Sequence, residues 1–412
     1  MNSKRETSEP GGQPRAEAGM SRSDSALESF LVWPLAAAAL VGKANVRFLE
    51  DLISSVSGKR SVSSSLSLPW TTSNTVALEL PSMRLRNFST KTGGLATLIC
   101  APYALHSATI ADFAPGHSVV EALCQGGLSR IFVTDWRSAT PETRYFSIDN
   151  YLADLNVAVD ELGPPVDLIG LCQGGWLALV YAARFPKKVR RLVLVGAPID
   201  IAAAESQLSR FVANVPLRMF DELVQQGKGI VHGDRMLESW GISSSFNDAE
   251  AVLQNPPGLD SGRRRELCDR FRQWYAETLN LPGGFYLQVV KWLFKENQIA
   301  ERRFVALGQQ VDLTQLRVPI FLLAASNDEV VSVDQLFATT RLVGTPAELL
   351  EKVAEPCGHL SLFLGSKALD GSWRKISHWL VSSELKEPEN VPEEKRSYDK
   401  RLRHRSALKQ HP

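Results

Sequence analysis

Runs rich in Val, Leu and Ile alternate with segments apolar at helical spacing through most of this chain, and the alternation predicts its architecture. The pattern in NTVALEL predicts an early strand from Thr75. LATLICAP (95–102) reads as a strand, SVVEALCQGG (118–127) as a helix and SRIFVTDW (129–136) as a strand. SIDNYLADLNVAVDEL (147–162) reads as a helix with Ser147 as its cap. VDLIGLCQGGWLALVYAA (166–183) starts as a strand, breaks at a cysteine between glycines, and continues as a helix. VRRLVLVGAP (189–198) is a further strand. Such a succession with short connections calls for an α/β fold, a mostly parallel sheet covered by helices on both faces.

The alternation stops after Ile201. Residues 202–311 show helical periodicity with aromatic stretches such as FRQWYAETL and GGFYLQVVKWLF, which predicts a helical cap inserted between strands. The sheet resumes with VPIFLLAASND (318–328), a helix near 333–343 and a last strand over about 347–354 that leads into EPCGHLSLF. WRKISHWL predicts a final helix.

The domain expectation is therefore a core in two parts, 75–201 and 312–383, around a cap at 202–311. Residues 1–26 and 384–412 are polar, charged and poor in large apolar residues, as disordered segments are. Between them and the core, 27–74 holds an apolar helix and a serine-rich linker at 61–67. The apolar run 30–41 is shorter than the roughly 20 residues a bilayer requires. It follows a mixed-charge leader, unlike a signal peptide. It reads as a helix docked on the body, or on an apolar surface.

Composition narrows the function classes. The 412 residues include 44% hydrophobic ones, enough for a full core, and the net charge of +1 gives no sign of a nucleic-acid partner. The basic run KRLRHR in the tail reads as a solvated terminus. Five cysteines scattered without C-x-x-C pairs argue against disulfides and against a zinc site, and for a reducing, cytoplasmic setting.

The chemistry centres on Cys172. Gly170 and Gly174 bracket it as G-x-C-x-G, with Gly175 following, and a nucleophile at such an elbow needs small neighbours. The helix starting behind the sulfur favours a thiolate and an oxyanion. The bland alternative is a buried structural cysteine before a glycine-rich turn. In the α/β-hydrolase architecture that this order resembles, an acid and then a His follow the nucleophile, in loops at strand ends. Asp328 directly follows the strand PIFLLAASN, and His359 follows the next strand beside Gly358. Asp334 reads as a cap of the following helix instead, His378 as part of the final helix, and His404 and His411 lie in the tail. His106 and His117 fall near the first sheet loop, but the order does not require them. Two backbone amides should form the oxyanion hole: that of Gln173, and one near Tyr103 and Ala104, since Pro102 has no N–H. Cysteine suits thioesters, because attacking and leaving groups are then both thiols of similar acidity.

GLCQGGW followed by LVYAARFPKKVRRLVLVGAPIDI resembles the lipase-box region of polyhydroxyalkanoate synthases, particularly the class III catalytic subunit. IADFAPGHSVVEAL, FVTDWRSATPETRYFSIDNYL, LNLPGGFYLQVVKWLFKENQIA, VDLTQLRVPIFLLAASNDEVV and GHLSLFLGSKAL extend the likeness over roughly 95–380. The resemblance implies an acyltransferase that loads (R)-3-hydroxyacyl groups from coenzyme A onto Cys172 and elongates a polyester. It places the family's aspartate at Asp328 and its histidine at His359. It implies no cofactor beyond the coenzyme A thioester used as substrate. It implies a second synthase subunit or a homodimer, and association with a polymer granule. Trp176 departs from the small residue usual after the double glycine, which bears on the shape of the acyl site. APYALHSATI, FYLQVV and GHLSLFLGS are also similar to intracellular polyhydroxyalkanoate depolymerases, which hydrolyse the polymer with the same fold and a cysteine nucleophile. Two further alternatives are another esterase of this fold and a non-catalytic granule-binding protein. The double glycine after the box is the synthase form.

Overall fold

Eight strands form one sheet: β1 (Thr75–Glu79), β2 (Met83–Asn87), β3 (Thr97–Cys100), β4 (Ile131–Trp136), β5 (Val166–Leu171), β6 (Val189–Val195), β7 (Ile320–Ala325) and β8 (Leu350–Glu355). The structure, a computed structural model, describes residues 68–240 and 248–382. The expected N-terminal helix, the linker at 61–67 and the charged tail lie outside those residues.

The strands stand in the order β1-β2-β4-β3-β5-β6-β7-β8. β2 is antiparallel to both its neighbours, and every pairing from β4 to β8 is parallel. Every residue of β5 and β7 is buried, the signature of parallel strands covered on both faces. β2 is a strand that the long apolar runs do not flag. Its MRLRN alternates instead, with Met83 and Leu85 buried and Arg86 turned out to pair Asp135 at 2.8 Å.

Three helices support the sheet near the site: α1 (Val119–Gln125), α2 (Ile148–Leu162) and α3 (Gln173–Arg184). Ser118 caps α1, its Oγ accepting the Glu121 amide at 2.9 Å. Ser147 stands at the N-cap of α2, and its amide donates to Asn150 Oδ1 at 2.8 Å. All of α3 but Arg184 is buried. The helix predicted near 333–343 is two pieces, Val333–Phe337 and Thr339–Leu342. The hydroxyls of Thr339 and Thr340 donate back to the carbonyls of Leu336 and Phe337 at 2.6 and 2.9 Å, in competition with a continuous ladder.

The insertion between β6 and β7 contains α4 (Gln207–Asn214), α5 (Leu217–Gln226), α6 (Gly233–Trp240), α7 (Ala249–Leu253), α8 (Ser261–Ala276) and α9 (Gly283–Gln288), the last continuing as a π-helix over Val289–Lys295. It is not helical throughout. Ile230–Val231 pairs with Leu281–Pro282, and Val305–Ala306 pairs with Gln309–Gln310. The second hairpin turns on Leu307 and Gly308, both at positive φ (50° and 72°), the backbone that two-residue hairpins need.

The body also begins earlier than residue 75. Leu68 is buried, and Thr72 gives its amide (2.7 Å) and hydroxyl (2.8 Å) to the fully buried carboxylate of Asp112. Polar partners in the core hold this segment, which lies between the expected linker and the first strand.

The insertion docks on loops that leave the carboxyl ends of the strands. The Leu279 amide donates to the Leu105 carbonyl (2.8 Å) beyond β3, and Ala139 beyond β4 donates to Asn280 (2.9 Å). Asn297 receives the Ile201 amide (3.0 Å) beyond β6, and Gln207 donates to Glu329 (2.9 Å) beyond β7. Strand order reverses between β3 and β5, so the insertion overlies the point where open α/β sheets keep a crevice.

Candidate active site

Cys172 follows β5 directly and opens α3, with φ 48° and ψ −118°. A non-glycine residue at such angles is strained, and the strain persists only where the surroundings fix it. They do. A Cβ on Gly174 would lie 2.1 Å from the Cys100 carbonyl oxygen and 2.6 Å from that of Ala101. On Gly170 it would lie 2.5 Å from the Gly175 Cα, and on Gly175 2.3 Å from the Ala197 Cβ. The three glycines let strand, helix and the end of β3 close around the cysteine, which remains half-buried.

Asp328 leaves β7 in a tight turn. Its Oδ1 accepts the amides of Val330 and Val331 at 2.8 and 2.9 Å, which aims Oδ2 at His359. The His359 Nδ1–H donates to that Oδ2 at 2.6 Å. The Asp328 side chain is fully buried and that of His359 nearly so. With Nδ1 occupied, Nε2 faces the sulfur, and Cys172 shares a side-chain hydrogen bond with His359. Burial pushes the His359 ring toward its neutral form. The negative charges of Asp328 and Cys172, and the hydrogen bonds to both, outweigh burial and raise the ring well above the ordinary histidine value. Phe363 meets the imidazole edge-on at 5.5 Å. Gly196 stands behind it at φ +55°, where a Cβ would come within 3.1 Å of Cε1.

The structure thus brings Cys172, Asp328 and His359 together. The other candidates go elsewhere. Asp334 is exposed in the first turn of Val333–Phe337 and does not cap it, Ser332 being the N-cap that accepts the Gln335 amide, and His378 is exposed on Ser372–Val381. His106 packs at a tilt against Trp274 (4.5 Å between ring centres) and meets the Glu277 carbonyl; burial drives its value down to about 4. His117 is buried against the Leu364 carbonyl at 2.7 Å. His404 and His411 lie outside the described residues.

The amides of Gln173, Tyr103 and Ala104 enter no sheet, turn or side-chain hydrogen bond among the described residues. The Gln173 amide is that of the first residue of α3, where a helix dipole favours negative charge. The Tyr103 ring packs on Trp136, Tyr151 and Phe285, and its hydroxyl donates to the Arg137 carbonyl at 3.0 Å. That packing ties the loop after β3 to α9 of the insertion. Trp176 is 1% exposed, with its Nε1–H on Gln173 Oε1 at 2.6 Å and its ring 6.1 Å from Phe304. It points into the seam between α3 and the insertion. Gly196 escapes the sequence reading, because V-G-A-P after a strand looks like any turn. Among the described residues, no group of three His, Cys, Asp or Glu side chains is placed to hold a metal.

A family model described as alpha/beta hydrolase fold matches residues 130–366, more than half of the sequence and a span that contains Cys172, Asp328 and His359. The chain belongs to the α/β-hydrolase fold family. Its strand order and elbow are those of a hydrolase-fold sheet. This hydrolase-fold chain is 25% identical to the poly(3-hydroxyalkanoate) polymerase subunit PhaC of Haloferax mediterranei over 331 residues, 75% of this chain and 64% of that protein. It is also 25% identical to the subunit of the same name from Allochromatium vinosum over 276 residues, 65% of this chain and 76% of that one. The chain therefore spans less than two thirds of the first of these relatives. Among solved structures, a monoacylglycerol lipase of Paleococcus ferrophilus superposes with a TM-score of 0.50 at 15% identity, covering 73% of this chain and 98% of the lipase. That likeness is one of fold.

Proposed function

We propose that this hydrolase-fold chain is a polyhydroxyalkanoate synthase-like acyltransferase, with Cys172 as nucleophile, His359 as base and Asp328 as its orienting carboxylate. The single observation that carries the reading is the sulfur, imidazole and carboxylate joined in series at the elbow. The likeness to polymerase subunits supports the choice of substrate.

The chemistry runs in two halves. His359 takes the thiol proton, and the Cys172 sulfur attacks the carbonyl carbon of an (R)-3-hydroxyacyl-coenzyme A. The oxyanion is held by the Gln173 amide and by that of Tyr103 or Ala104. Collapse breaks the carbon–sulfur bond to coenzyme A, whose thiolate leaves with the proton from His359. The acyl group then sits on Cys172 as a thioester, still activated. In the second half His359 takes the proton of a 3-hydroxyl, whose oxygen attacks this thioester. An ester forms and the Cys172 thiolate is regained. These steps call on no group beyond the chain and its thioester. The insertion over the strand ends limits water, which would divert the acyl group to hydrolysis. Relatives named as subunits support a further partner chain, and a polymer product supports a granule-bound setting. No helix among the described residues is long and apolar enough to cross a membrane.

The test is product analysis. The purified full chain, alone and with a candidate second subunit, is given (R)-3-hydroxybutyryl-coenzyme A and, in a separate reaction, amorphous polymer. Coenzyme A release with polymer is expected. Release of free 3-hydroxy acid from amorphous polymer would assign it to depolymerisation, and neither product would leave only a binding role.

A further inference from the structure

The residue after the nucleophile offers a second donor. The Trp176 Nε1–H donates to Gln173 Oε1 at 2.6 Å. An indole nitrogen can only donate, so the oxygen end of the carboxamide must face it. That settles which way round the amide lies, and its NH2 end is turned away from Trp176. Among the described residues no acceptor takes this NH2, yet it is not one of the sealed, unpartnered polar atoms. It therefore reaches accessible space from a residue that is only 8% exposed. The anchor is fixed as well. Trp176 is 1% exposed and packs on Phe304, which meets Trp292 edge-on at 6.0 Å.

We propose that the Gln173 carboxamide, oriented by Trp176, is a donor subsite for the oxygen on carbon 3 of the acyl chain. Gln173 is bonded to Cys172, and its backbone amide, the first of α3, is the donor proposed above for the oxyanion. One residue then presents two donors, a backbone N–H and a side-chain NH2. A 3-oxygenated acyl group presents two acceptors, the carbonyl oxygen and the oxygen two carbons further on. In a monomer that oxygen is a hydroxyl and in a grown chain an ester oxygen; both accept a hydrogen bond, whereas a plain acyl chain has nothing there. Because the end turned away from Trp176 is the NH2, which can only donate, the subsite selects acceptors over donors. Trp176 acts through Gln173 and is a positioning residue. The identity of the acyl group rests on the proposed function; the orientation of the carboxamide does not.

The test compares acylation of Cys172 by the p-nitrophenyl esters of (R)-3-hydroxybutyrate and butyrate, followed by nitrophenolate release and intact mass. The readout is the ratio of kcat/KM for the two esters in the full chain and in Q173M and W176F. General damage to the elbow lowers both rates and leaves the ratio alone. The ratio is expected to favour the hydroxy ester, to fall about tenfold in Q173M, and to fall by a smaller factor in W176F, where the amide can rotate. Equal ratios in all three proteins, or no preference in the unaltered chain, would overturn the subsite. The esters need neither coenzyme A nor polymer. A changed ratio without polymer formation would overturn the proposed synthesis and keep the subsite; polymer with an unchanged ratio would do the reverse.

Discussion

His359 Nδ1 stands 2.6 Å from Asp328 Oδ2, with the carboxylate fully buried and the imidazole nearly so. The carboxylate has its other oxygen committed to two backbone amides, so the pair has one geometry available. Asp328→Asn keeps the shape but removes the charge and permits the wrong tautomer. Turnover should fall by about 10³–10⁴-fold with a much smaller change in KM. Steady-state kinetics on the substrate that proves active reads this directly, and a loss confined to KM would contradict the orienting role.

The same pair predicts a pH dependence of stability. His359 is raised above the unfolded value of about 6.5. Its charge therefore stabilises the native chain fully below that pH, and the contribution fades as pH rises through the folded value. In Asp328→Asn burial meets weaker opposition, the folded value drops, and this limb of the profile should flatten. Urea midpoints for both proteins from pH 5 to 9 check it; parallel curves would place the dependence elsewhere.

Thiol chemistry separates Cys172 from its four companions. Cys100 and Cys268 are buried, as is Cys357, and burial pushes the thiols of Cys100 and Cys357 up to about 12. Cys124 is half-buried, and burial followed by the charges of Asp112 and Glu121 raises its thiol too. Brief treatment of the native chain with iodoacetamide should modify Cys172 first, in step with loss of activity. Peptide mass mapping shows the order, and labelling of Cys124 ahead of Cys172 would count against a nucleophile at the elbow.

At the elbow, tolerance is set by backbone. A methyl group on Gly174 meets two carbonyl oxygens, neither of which can swing aside like a side chain. Gly174→Ala should cost about 3 kcal/mol or more, or prevent folding. The comparison is Gly93→Ala, where nothing lies within 4 Å of the added carbon. Similar urea midpoints for the two variants would mean that the elbow can relax.

Asn297 offers a test of how the insertion is held. It sits at φ 47°, accepts the Ile201 amide at 3.0 Å and donates to Asp200 Oδ1 at 2.7 Å, all within the protein. Asn297→Ala should cost about 1–3 kcal/mol. Asn297→Gly loses the same bonds but accepts the positive φ, and should be less damaging by up to about 1 kcal/mol. Equal stability of all three proteins in urea would show the clasp to be idle.

Much of this site was legible because its parts are local. Strand, glycine, cysteine and helix lie within one stretch, and Asp328 and His359 each follow a strand in the required order. What escaped depends on distance along the chain or on subtle backbone. β2 has only two inward apolar residues and draws its place from Asp135, 49 positions away from Arg86. The cap hairpin turns on Leu307, whose positive φ no propensity rule favours. His106 looked available from its neighbours in sequence, whereas its partners Trp274 and Glu277 come from the insertion.

The Asn297 clasp also says how the insertion is attached. Its side chain holds the Ile201 amide across 96 positions of sequence, so the polypeptide departs and returns at nearly one place. Viewed from the strands, everything between is a single long detour whose entrance and exit coincide. The entropy of closing such a detour grows only with the logarithm of its length. The polypeptide that overlies the strand ends can thus change in length at little entropic cost, while the register that aligns sulfur, imidazole and carboxylate stays as it is.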